Sequence, residues 1–357
     1  MTTQELDPAK AAAFAGQMLG AFNGAMLSLL TSIGHQTGLF DTLAGMRPST
    51  SYQIAEATAL NERYVREWLA AMVTGRIIEY DPGNESYRLP PEHAAALTRA
   101  AGPDNLANLA QYVSLMGNVE EGIISAFRNG GGVPYSAYPR FQALQAEESA
   151  QIHDAVLIDV ILPLVPVTVE RLESGIEALD VGCGQGHAVN LMAREFPNSR
   201  FTGYDFSEEG IAAGRAEAAS WELANTRFQV KDAATLNEPA SYDLITAFDT
   251  IHDQAQPTSV LRAIAEALRP GGVFLMVDVA ASSNLHENMD HPLAPALYAV
   301  STLHCMTVSL ALDGEGLGTM WGEQLARQKL AEAGFTNVET KRVEGDFLNC
   351  YYIASKG

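Results

Sequence analysis

The segment A-L-D-V-G-C-G-Q-G at residues 178–186 constrains the fold of this chain more than any other part of it. A short apolar strand leads into a turn with three glycines, and Asp205 follows 19 residues after the last of them. Glycines in such a turn let the backbone approach a ligand, and an acidic residue at the end of the next strand accepts hydrogen bonds from ribose hydroxyls. The motif therefore predicts a nucleotide-type site in a doubly wound α/β sheet.

The spacing of the glycines distinguishes this turn from related ones. A dinucleotide-binding turn reads G-x-G-x-x-G, with a third glycine where the helix packs on the strand. Here that position holds His187, and no lysine of the phosphate-binding loop type follows. The run G-x-G-x-G resembles the first motif of the class I S-adenosylmethionine-dependent methyltransferases. The resemblance implies S-adenosyl-L-methionine as cofactor and S-adenosyl-L-homocysteine as product, while His187 argues against an NAD-linked oxidoreductase.

Strands and helices alternate after residue 176, which predicts a mostly parallel sheet. Residues 280–320 interrupt the alternation with an insertion rich in Met, His and Leu. The last two strands lack a full helix between them, which resembles the antiparallel hairpin that closes the sheet in the same family. The predicted strands are 177–181, 200–204, 226–230, 242–248, 273–277, 338–342 and 349–354.

The N-terminal part of the chain carries the signals of a winged helix. Two helices with capping residues, one beginning near Ser51 and one predicted at 62–73, precede two short strands, predicted at 77–80 and 87–89, around the turn Asp81-Pro82-Gly83-Asn84. We therefore predict three segments. They are a helical and winged-helix domain at 1–103, a helical connector at 104–175 and a cofactor-binding catalytic domain at 176–357.

A winged helix can place its second helix in the major groove of DNA. Here Arg63 and Arg66 on that helix are accompanied by Glu62 and Glu67, and the whole chain has 43 acidic and 22 basic residues, a net charge of −21. Such a surface repels phosphate backbones and anionic membranes. We expect the domain to form a homodimer and to cover the active site, without binding nucleic acid. A DNA-binding regulator that senses S-adenosylmethionine is the alternative.

Composition limits the setting in which the chain works. It has no run of 18 apolar residues, so no transmembrane span is expected, and residues 1–10 lack the features of a secretory signal. Its three cysteines, Cys183, Cys305 and Cys350, are too widely spaced to imply a disulfide framework or a metal knuckle. We expect a cytoplasmic protein with no metal and no membrane partner.

The resemblance implies roles for several residues of the predicted cofactor site. Asp180 would receive the ammonium group of the methionine part, and Asp205 the ribose hydroxyls. Phe206 would lie against the adenine face, with core packing as the alternative. Asp232 would accept a hydrogen bond from the adenine amino group, with a helix N-cap as the alternative. The other members of this predicted site are Gly182, Gly184, Gly186, Ala233, Phe248 and Asp249.

A histidine follows the fourth strand of the α/β domain, in the run Phe248-Asp249-Thr250-Ile251-His252-Asp253. Two-domain small-molecule O-methyltransferases carry a similar His-Asp pair, and there the histidine is the general base. An alcohol or phenol attacks a methyl group only if its proton leaves, and imidazole is suited to accept it. We predict His252 as this base, with Asp253 or Asp249 orienting the ring. A histidine that only closes the cofactor pocket is the alternative, and Gln254 stands where those enzymes have tryptophan.

Three further runs, at residues 32–41, 62–69 and 89–94, are distinctive together. They resemble the two-domain bacterial, mycobacterial-type methyltransferases with an N-terminal winged helix, over nearly all of the chain. The resemblance implies a homodimer and a small organic acceptor. It defines neither the acceptor nor the methylated atom, so N- or C-methylation without a histidine base stays open. In the insertion, His286, His291 and His304 are candidates for the acceptor pocket, with core packing as the alternative.

Overall fold

The structure is a computed structural model that describes residues 6–166 and 168–356, and the chain divides into two compact units, Met1–Gly117 and Asn118–Gly357. The predicted connector, 104–175, therefore falls partly in each unit. The first unit contains α1 (Pro8–Gln36), α2 (Leu39–Gly45), α3 (Ser51–Thr58), α4 (Glu62–Thr74), β1 (Glu79–Asp81), β2 (Ser86–Arg88), α5 (Pro91–Ala94), a 3₁₀ helix (Arg99–Asp104), α6 (Leu106–Leu109) and α7 (Gln111–Gly117).

The second unit is an α/β domain with helices that precede its sheet. Its strands are β3 (Glu177–Val181), β4 (Arg200–Asp205), β5 (Thr226–Val230), β6 (Tyr242–Phe248), β7 (Leu268–Val279), β8 (Asn337–Lys341) and β9 (Asn349–Ser355). Its α-helices are α8 (Glu120–Asn129), α9 (Phe141–Val156), α10 (Thr168–Ser174), α11 (His187–Glu195), α12 (Glu208–Ser220), α13 (Pro257–Ala267), α14 (Ala294–Val300), α15 (Met306–Leu310) and α16 (Gly322–Glu332). Short 3₁₀ helices lie at Tyr135–Ala137, Leu162–Leu164, Ala233–Thr235, Ile251–Asp253 and Leu285–Asn288, and π-helical turns at Leu157–Ile161 and Ser301–Cys305.

The first unit confirms the predicted winged helix. Thr50 and Gln53 form a capping box at the start of α3, and the Asn61 side chain accepts from the Arg63 N–H at the start of α4. β1 and β2 pair antiparallel around the predicted turn. One face of α4 is buried in the core of this unit, through Val65, Trp68, Leu69 and Met72.

Helix α1 exposes most of its large apolar side chains. Its buried residues, Thr31, Ser32, Gly34 and His35, lie near its C-terminal end, while the exposed large side chains are Phe14, Met18, Leu19, Phe22, Met26 and Ile33. By length and composition α1 is also able to cross a membrane, as is the bent pair Phe141–Leu164 with Thr168–Ser174 if counted as one span. Core helices and signal sequences pass the same test, so the absence of a membrane span stays a prediction.

The second unit contains a seven-stranded sheet in the order β5-β4-β3-β6-β7-β9-β8. The first five strands in this order are parallel, and β9 pairs antiparallel with both β7 and β8. This confirms the predicted doubly wound sheet and its closing hairpin. The direction in which the chain winds reverses between β3 and β6, and such sheets bind ligands at the carboxyl ends of the strands on either side of that point. The glycine turn follows β3, and His252 follows β6.

Two apolar layers bury the faces of the sheet. Because side chains alternate along a strand, Leu179 and Val181 pack on one face while Ala178 packs on the other. On the first face α13 and α16 contribute Val260, Leu261, Ile264, Ala326 and Leu330. On the second, α11 and α12 contribute Val189, Leu191, Met192 and Ile211. Cover on both faces fits the continuous apolar strands of a parallel sheet and holds the turn after β3 in place.

Candidate active site

The glycine turn after β3 is bent back on the neighbouring strand. The N–H groups of Gly182 and Cys183 both donate to the Tyr204 carbonyl, at 2.8 and 3.0 Å. Gly182, Gly184 and Gly186 have φ values of +72°, +54° and +74°, in the left-handed region. A Cβ on Gly182 would lie 2.1 Å from the Thr250 hydroxyl oxygen, whereas one on Gly184 would meet nothing within 4 Å in the described chain. Gly184 is thus the point of the turn at which a ligand can approach the backbone.

Asp205, at the end of β4, holds this turn from the other side. One carboxylate oxygen accepts from the Gly184 N–H at 2.8 Å, and the other accepts from the Ser207 N–H at 2.8 Å. Burial raises the pKa of this carboxyl, and the backbone hydrogen bonds oppose that shift. A carboxylate has about four acceptor positions, so two remain for the hydroxyls of a ribose. The structure therefore places Asp205 beside the turn, with acceptor capacity left over.

Phe206 and Asp232 follow neighbouring strands at the same edge of the sheet. The Phe206 side chain is 57% exposed, so it is not a core phenylalanine, and its ring meets that of Tyr135 edge-on at 5.4 Å. Asp232 caps the 3₁₀ helix Ala233–Thr235 by accepting from the Ala234 N–H at 2.9 Å. The helix-cap role considered for Asp232 is therefore present, and its contact with adenine stays a prediction. Ala233 is buried behind it.

The carboxyl ends of β3 and β6 bring further predicted residues together. Asp180 is buried and accepts from the Thr246 hydroxyl at 2.7 Å, and burial raises its pKa to about 7. Asp249 has a φ of +49°, in a region where non-glycine residues are uncommon. Its side chain is accessible to solvent. Desolvation of the carboxyl by the surrounding protein, followed by the charge of Asp278, nevertheless raises its pKa to about 7. Phe248 packs edge-on against His153, with ring centres 4.9 Å apart.

His252 is buried in the 3₁₀ turn after β6, and its carboxylate partner is Asp278 on β7. Its Nδ1 lies 2.8 Å from Asp278 Oδ1, which also accepts from the Trp321 indole N–H at 3.0 Å. The sequence-based interpretation had Asp249 or Asp253 orient this ring. Asp253 instead lies by the other nitrogen, 3.4 Å from Nε2 without a hydrogen bond. Sequence spacing could not reveal Asp278, but an aspartate inside an otherwise apolar strand, Val-Asp-Val, is a signal of a buried polar role.

The two carboxylates decide the charge of this imidazole. Burial alone would lower the pKa of His252, but the charges of Asp278 and then Asp253 outweigh it and raise the pKa well above 6.5. The carboxylates therefore favour the protonated form of this imidazole. Deprotonation leaves a strongly basic nitrogen at Nε2.

A possible metal site was tested on the same residues. Donor atoms of His252, Asp253 and Cys305 lie within 4.8 Å of one another. A thiol must lose its proton to bind a metal, yet burial raises the pKa of Cys305 to about 11. The protonated imidazole would also have to release the Nε2 proton. We therefore assign no metal to this cluster.

Tyr135, which lies 42 residues before the first strand of the sheet, is placed between the two halves of the candidate site. Its ring meets Phe206 on one side and His304 on the other, at 5.4 and 5.2 Å. Burial raises the pKa of Tyr135 well above 10, and the charges of Asp253 and Asp205 add to the shift. Sequence reasoning placed this stretch only within the helical connector 104–175, because nothing in its local pattern indicates a long-range contact.

Comparison with known proteins identifies two domains in this chain. Residues 25–99 match the family model described as an Rv2258c-like winged HTH domain, and residues 172–334 match one described as a methyltransferase domain. A ubiquinone biosynthesis O-methyltransferase of Albidiferax ferrireducens is 31% identical over 101 residues, which are 28% of this chain and 39% of that protein. The chain spans less than half the length of the curated relatives it matches.

Solved structures resemble the whole chain. Human N-acetylserotonin methyltransferase in complex with S-adenosylmethionine has a TM-score of 0.71 and 19% identity, with all of both chains covered. The mitomycin 7-O-methyltransferase MmcR has a TM-score of 0.74 and 18% identity, with 98% of this chain and 100% of that one covered. At these identities the likeness establishes the two-part fold.

Proposed function

We propose that this chain, which belongs to the S-adenosylmethionine-dependent methyltransferases with an N-terminal Rv2258c-like winged HTH domain, methylates an oxygen atom of a small organic acceptor. The observation that carries the oxygen assignment is the buried His252–Asp278 pair at the carboxyl ends of β6 and β7. Methylation at nitrogen or carbon without a histidine base is the alternative.

The residues around the glycine turn fit the cofactor. Gly184 leaves its surroundings open, Asp205 keeps free acceptor positions for ribose hydroxyls, and Phe206 presents an exposed ring beside them. Asp180 and Asp249 would hold the cationic end, because a nearby positive charge favours the ionised form of a carboxyl. When bound, S-adenosylmethionine supplies a methyl group that is activated by its positively charged sulfur.

The proposed step needs one proton transfer. His252, once neutral, would accept the proton of the acceptor hydroxyl at Nε2 as that oxygen takes the methyl group, and S-adenosylhomocysteine would be the product that leaves. Asp278 fixes the tautomer by accepting from Nδ1–H and stabilises the imidazolium that forms. The rest of the rate comes from holding the acceptor oxygen in line with the methyl group and away from water.

The first unit is proposed to hold two copies of the chain together and not to bind DNA. The exposed apolar face of α1 supports a homodimer. Three arginines of the winged helix are neutralised within the unit, since Arg63, Arg66 and Arg88 pair with Glu67, Glu62 and Glu79. Together with the net charge of −21, these pairs favour a small-molecule acceptor over nucleic acid. We also propose a cytoplasmic site of action, since Cys183, Cys305 and Cys350 are free thiols.

The test measures cofactor binding and turnover separately. In His252→Ala, kcat should fall by about 10²–10⁴, the range for loss of a general base, while calorimetry with S-adenosylhomocysteine should show little change in affinity. His93→Ala is the control, because that side chain is exposed on α5 of the first unit. Loss of S-adenosylhomocysteine binding in His252→Ala would assign the ring to the cofactor pocket instead. A shift of duplex DNA by the protein in a low-salt gel would favour the regulator alternative.

A further inference from the structure

A second imidazole, that of His304, is fully buried in the π-helical turn Ser301–Cys305. Neither of its ring nitrogens has a hydrogen-bond partner among the described residues. Each buried polar atom left unpaired costs about 1–3 kcal/mol, so such atoms are rare in native proteins. A histidine that served only the core would be expected to reach a backbone carbonyl or a hydroxyl. The ring therefore points to a ligand that supplies the missing partners.

Aromatic side chains fix the orientation of this ring. His304 stacks on Phe141 with centres 3.9 Å apart and planes 12° apart, and it meets Tyr138 and Tyr135 edge-on at 4.7 and 5.2 Å. Tyr138 in turn donates its hydroxyl proton to the Leu303 carbonyl, at 2.5 Å. Burial lowers the pKa of His304 to about 4, so the ring is neutral and carries one N–H donor and one acceptor nitrogen.

Asp253 lies between this ring and the proposed base. Its Oδ1 is 3.4 Å from His252 Nε2, and its Oδ2 is 3.9 Å from His304 Nδ1, which is too far for a hydrogen bond. Oδ1 is also buried and forms no hydrogen bond within the described part of the chain. Unpaired hydrogen-bonding atoms thus extend from Asp253 Oδ1, beside the base, to the ring nitrogens of His304.

We propose that Asp253 and His304 bind a second oxygen of the acceptor, adjacent to the oxygen that is methylated. One carboxylate faces both imidazoles, so the two oxygens of the ligand have to be neighbours. The second hydroxyl donates to Asp253 and accepts the N–H of His304, while the first lies at His252 Nε2 and gives its proton to that nitrogen once the ring is neutral. An acceptor with a single oxygen would leave His304 unpaired. This inference rests on the proposed function and narrows its acceptor to compounds with two adjacent oxygen groups.

The test compares three probes on the full chain saturated with S-adenosylhomocysteine: catechol, phenol and hydroquinone, whose hydroxyls are opposite each other. Calorimetry should show catechol binding at least about tenfold tighter than either of the others, a difference of about 1.4 kcal/mol. In His304→Phe, which keeps the stacking on Phe141 but removes both nitrogens, the preference should fall below threefold. His93→Phe, at an exposed position on α5 of the first unit, should keep it.

Equal binding of catechol and phenol to the unaltered chain, or an unchanged preference in His304→Phe, would overturn the inference. If His304→Phe loses its folded circular dichroism signal, Asp253→Asn takes its place, and the same loss of preference is expected. Turnover provides the second readout: with His304→Phe, KM for catechol should rise while KM for phenol stays constant. Absence of methyl transfer with an intact catechol preference would count against the proposed base and not against this pair.

Discussion

At the scale of single residues, Asp205 joins the fold to the ligand site. Each of its carboxylate oxygens accepts one backbone N–H, from Gly184 and from Ser207. The same side chain therefore shapes the turn and offers acceptors to a ribose, so its two roles can be separated only by measuring stability and affinity in the same variant.

Asp205→Asn should weaken S-adenosylhomocysteine binding at least about tenfold, since hydrogen bonds to a charged group contribute about 1.5–3 kcal/mol each. The amide also turns an N–H toward one of the two backbone N–H groups, so some loss of thermal stability should accompany the change. Calorimetry measures the affinity, and Glu209→Gln, exposed on α12, is the matched control. Unchanged affinity in the Asn variant would remove Asp205 from the cofactor site.

The pH dependence of turnover should follow His252. The groups that face it are Asp278 on β7, Asp253 in its own turn, and Cys305 and His304 in the insertion. Only neutral imidazole accepts a proton, and the pKa of this ring lies well above 6.5. The rate should therefore rise with pH through a midpoint above 6.5 and be largely lost below it.

Asp278→Asn should move that midpoint to lower pH, because removing the negative charge destabilises the imidazolium. The limiting rate at high pH should fall as well, by at least about tenfold, since the imidazolium formed in the step loses its partner. Asp313→Asn, at an exposed position, is the control. Profiles of kcat against pH that coincide for the Asp278 variant and the unaltered chain would contradict the pairing.

Sequence reasoning could place Asp205, Phe206 and His252 because each stands at a fixed offset from a strand. It could not place Asp278 or Tyr135. Their partners lie 26 and 71 residues away, at His252 and Phe206, and only the order of strands in the sheet and the packing of a distant loop bring them together. Local patterns carry no information on such contacts.

At the scale of elements, the loop before α9 is fastened to the insertion. The Val133 N–H donates to the Thr307 hydroxyl at 2.8 Å, and a Cβ on Gly132 would lie 1.9 Å from the Thr307 carbonyl oxygen. Only glycine allows this approach of two backbones. The contact positions Tyr135 and the π-helical turn that carries His304.

Gly132→Ala should destabilise the protein by about 1–3 kcal/mol, as overpacking does. It should raise KM for the acceptor more than it weakens S-adenosylhomocysteine binding. The reason is that the displaced loop contains Tyr135, whose ring contacts His304. Chemical denaturation and calorimetry measure the two effects. Gly117→Ala, where a Cβ meets nothing within 4 Å of the described chain, should be close to neutral. Equal free energies of unfolding for the two variants would show that the loop accommodates the added Cβ without loss of stability, which would contradict the prediction.

Element boundaries were predicted closely where turn residues mark them. The strand at β3 was predicted at its observed bounds, and the helix of Glu62 was predicted to end one residue before it does. The first wing strand, predicted at 77–80, is observed at Glu79–Asp81, because residues 77 and 78 lie in a bend that follows α4. The second, predicted at 87–89, is observed one residue earlier, at Ser86–Arg88. The π-helical turns at Leu157–Ile161 and Ser301–Cys305 were not predicted, since such turns arise from local packing and have no simple sequence signature.

At the scale of the whole molecule, the net charge and the exposed apolar surface have opposite effects on the association of two copies of the chain. The net charge of −21 keeps copies of the chain apart, whereas the apolar face of α1 favours their association. An exposed stripe of this kind on an otherwise acidic protein is typical of an interface.

Phe22→Glu should convert the proposed homodimer into a monomer, because it introduces a charge at a 60% exposed apolar position in the centre of this face. Light scattering coupled to size exclusion would show the molar mass fall by half. Tyr64→Glu, on α4 at an 80% exposed position, should leave the mass unchanged. An unaltered chain that already elutes as a monomer would contradict the assignment of α1.

The position of β9 has a consequence for how the chain matures. β9 lies between β7 and β8, so β8 leaves the ribosome before the strand it pairs with exists. Until β9 has been made, the edge of β7 is open. The buried side chains of β9 itself, Tyr351 and Tyr352 among them, are then missing from the two faces of the sheet. The α/β unit thus completes its sheet only after β9 has been synthesised, and ribosome-bound chains that stop before β9 should be the ones that chaperones retain.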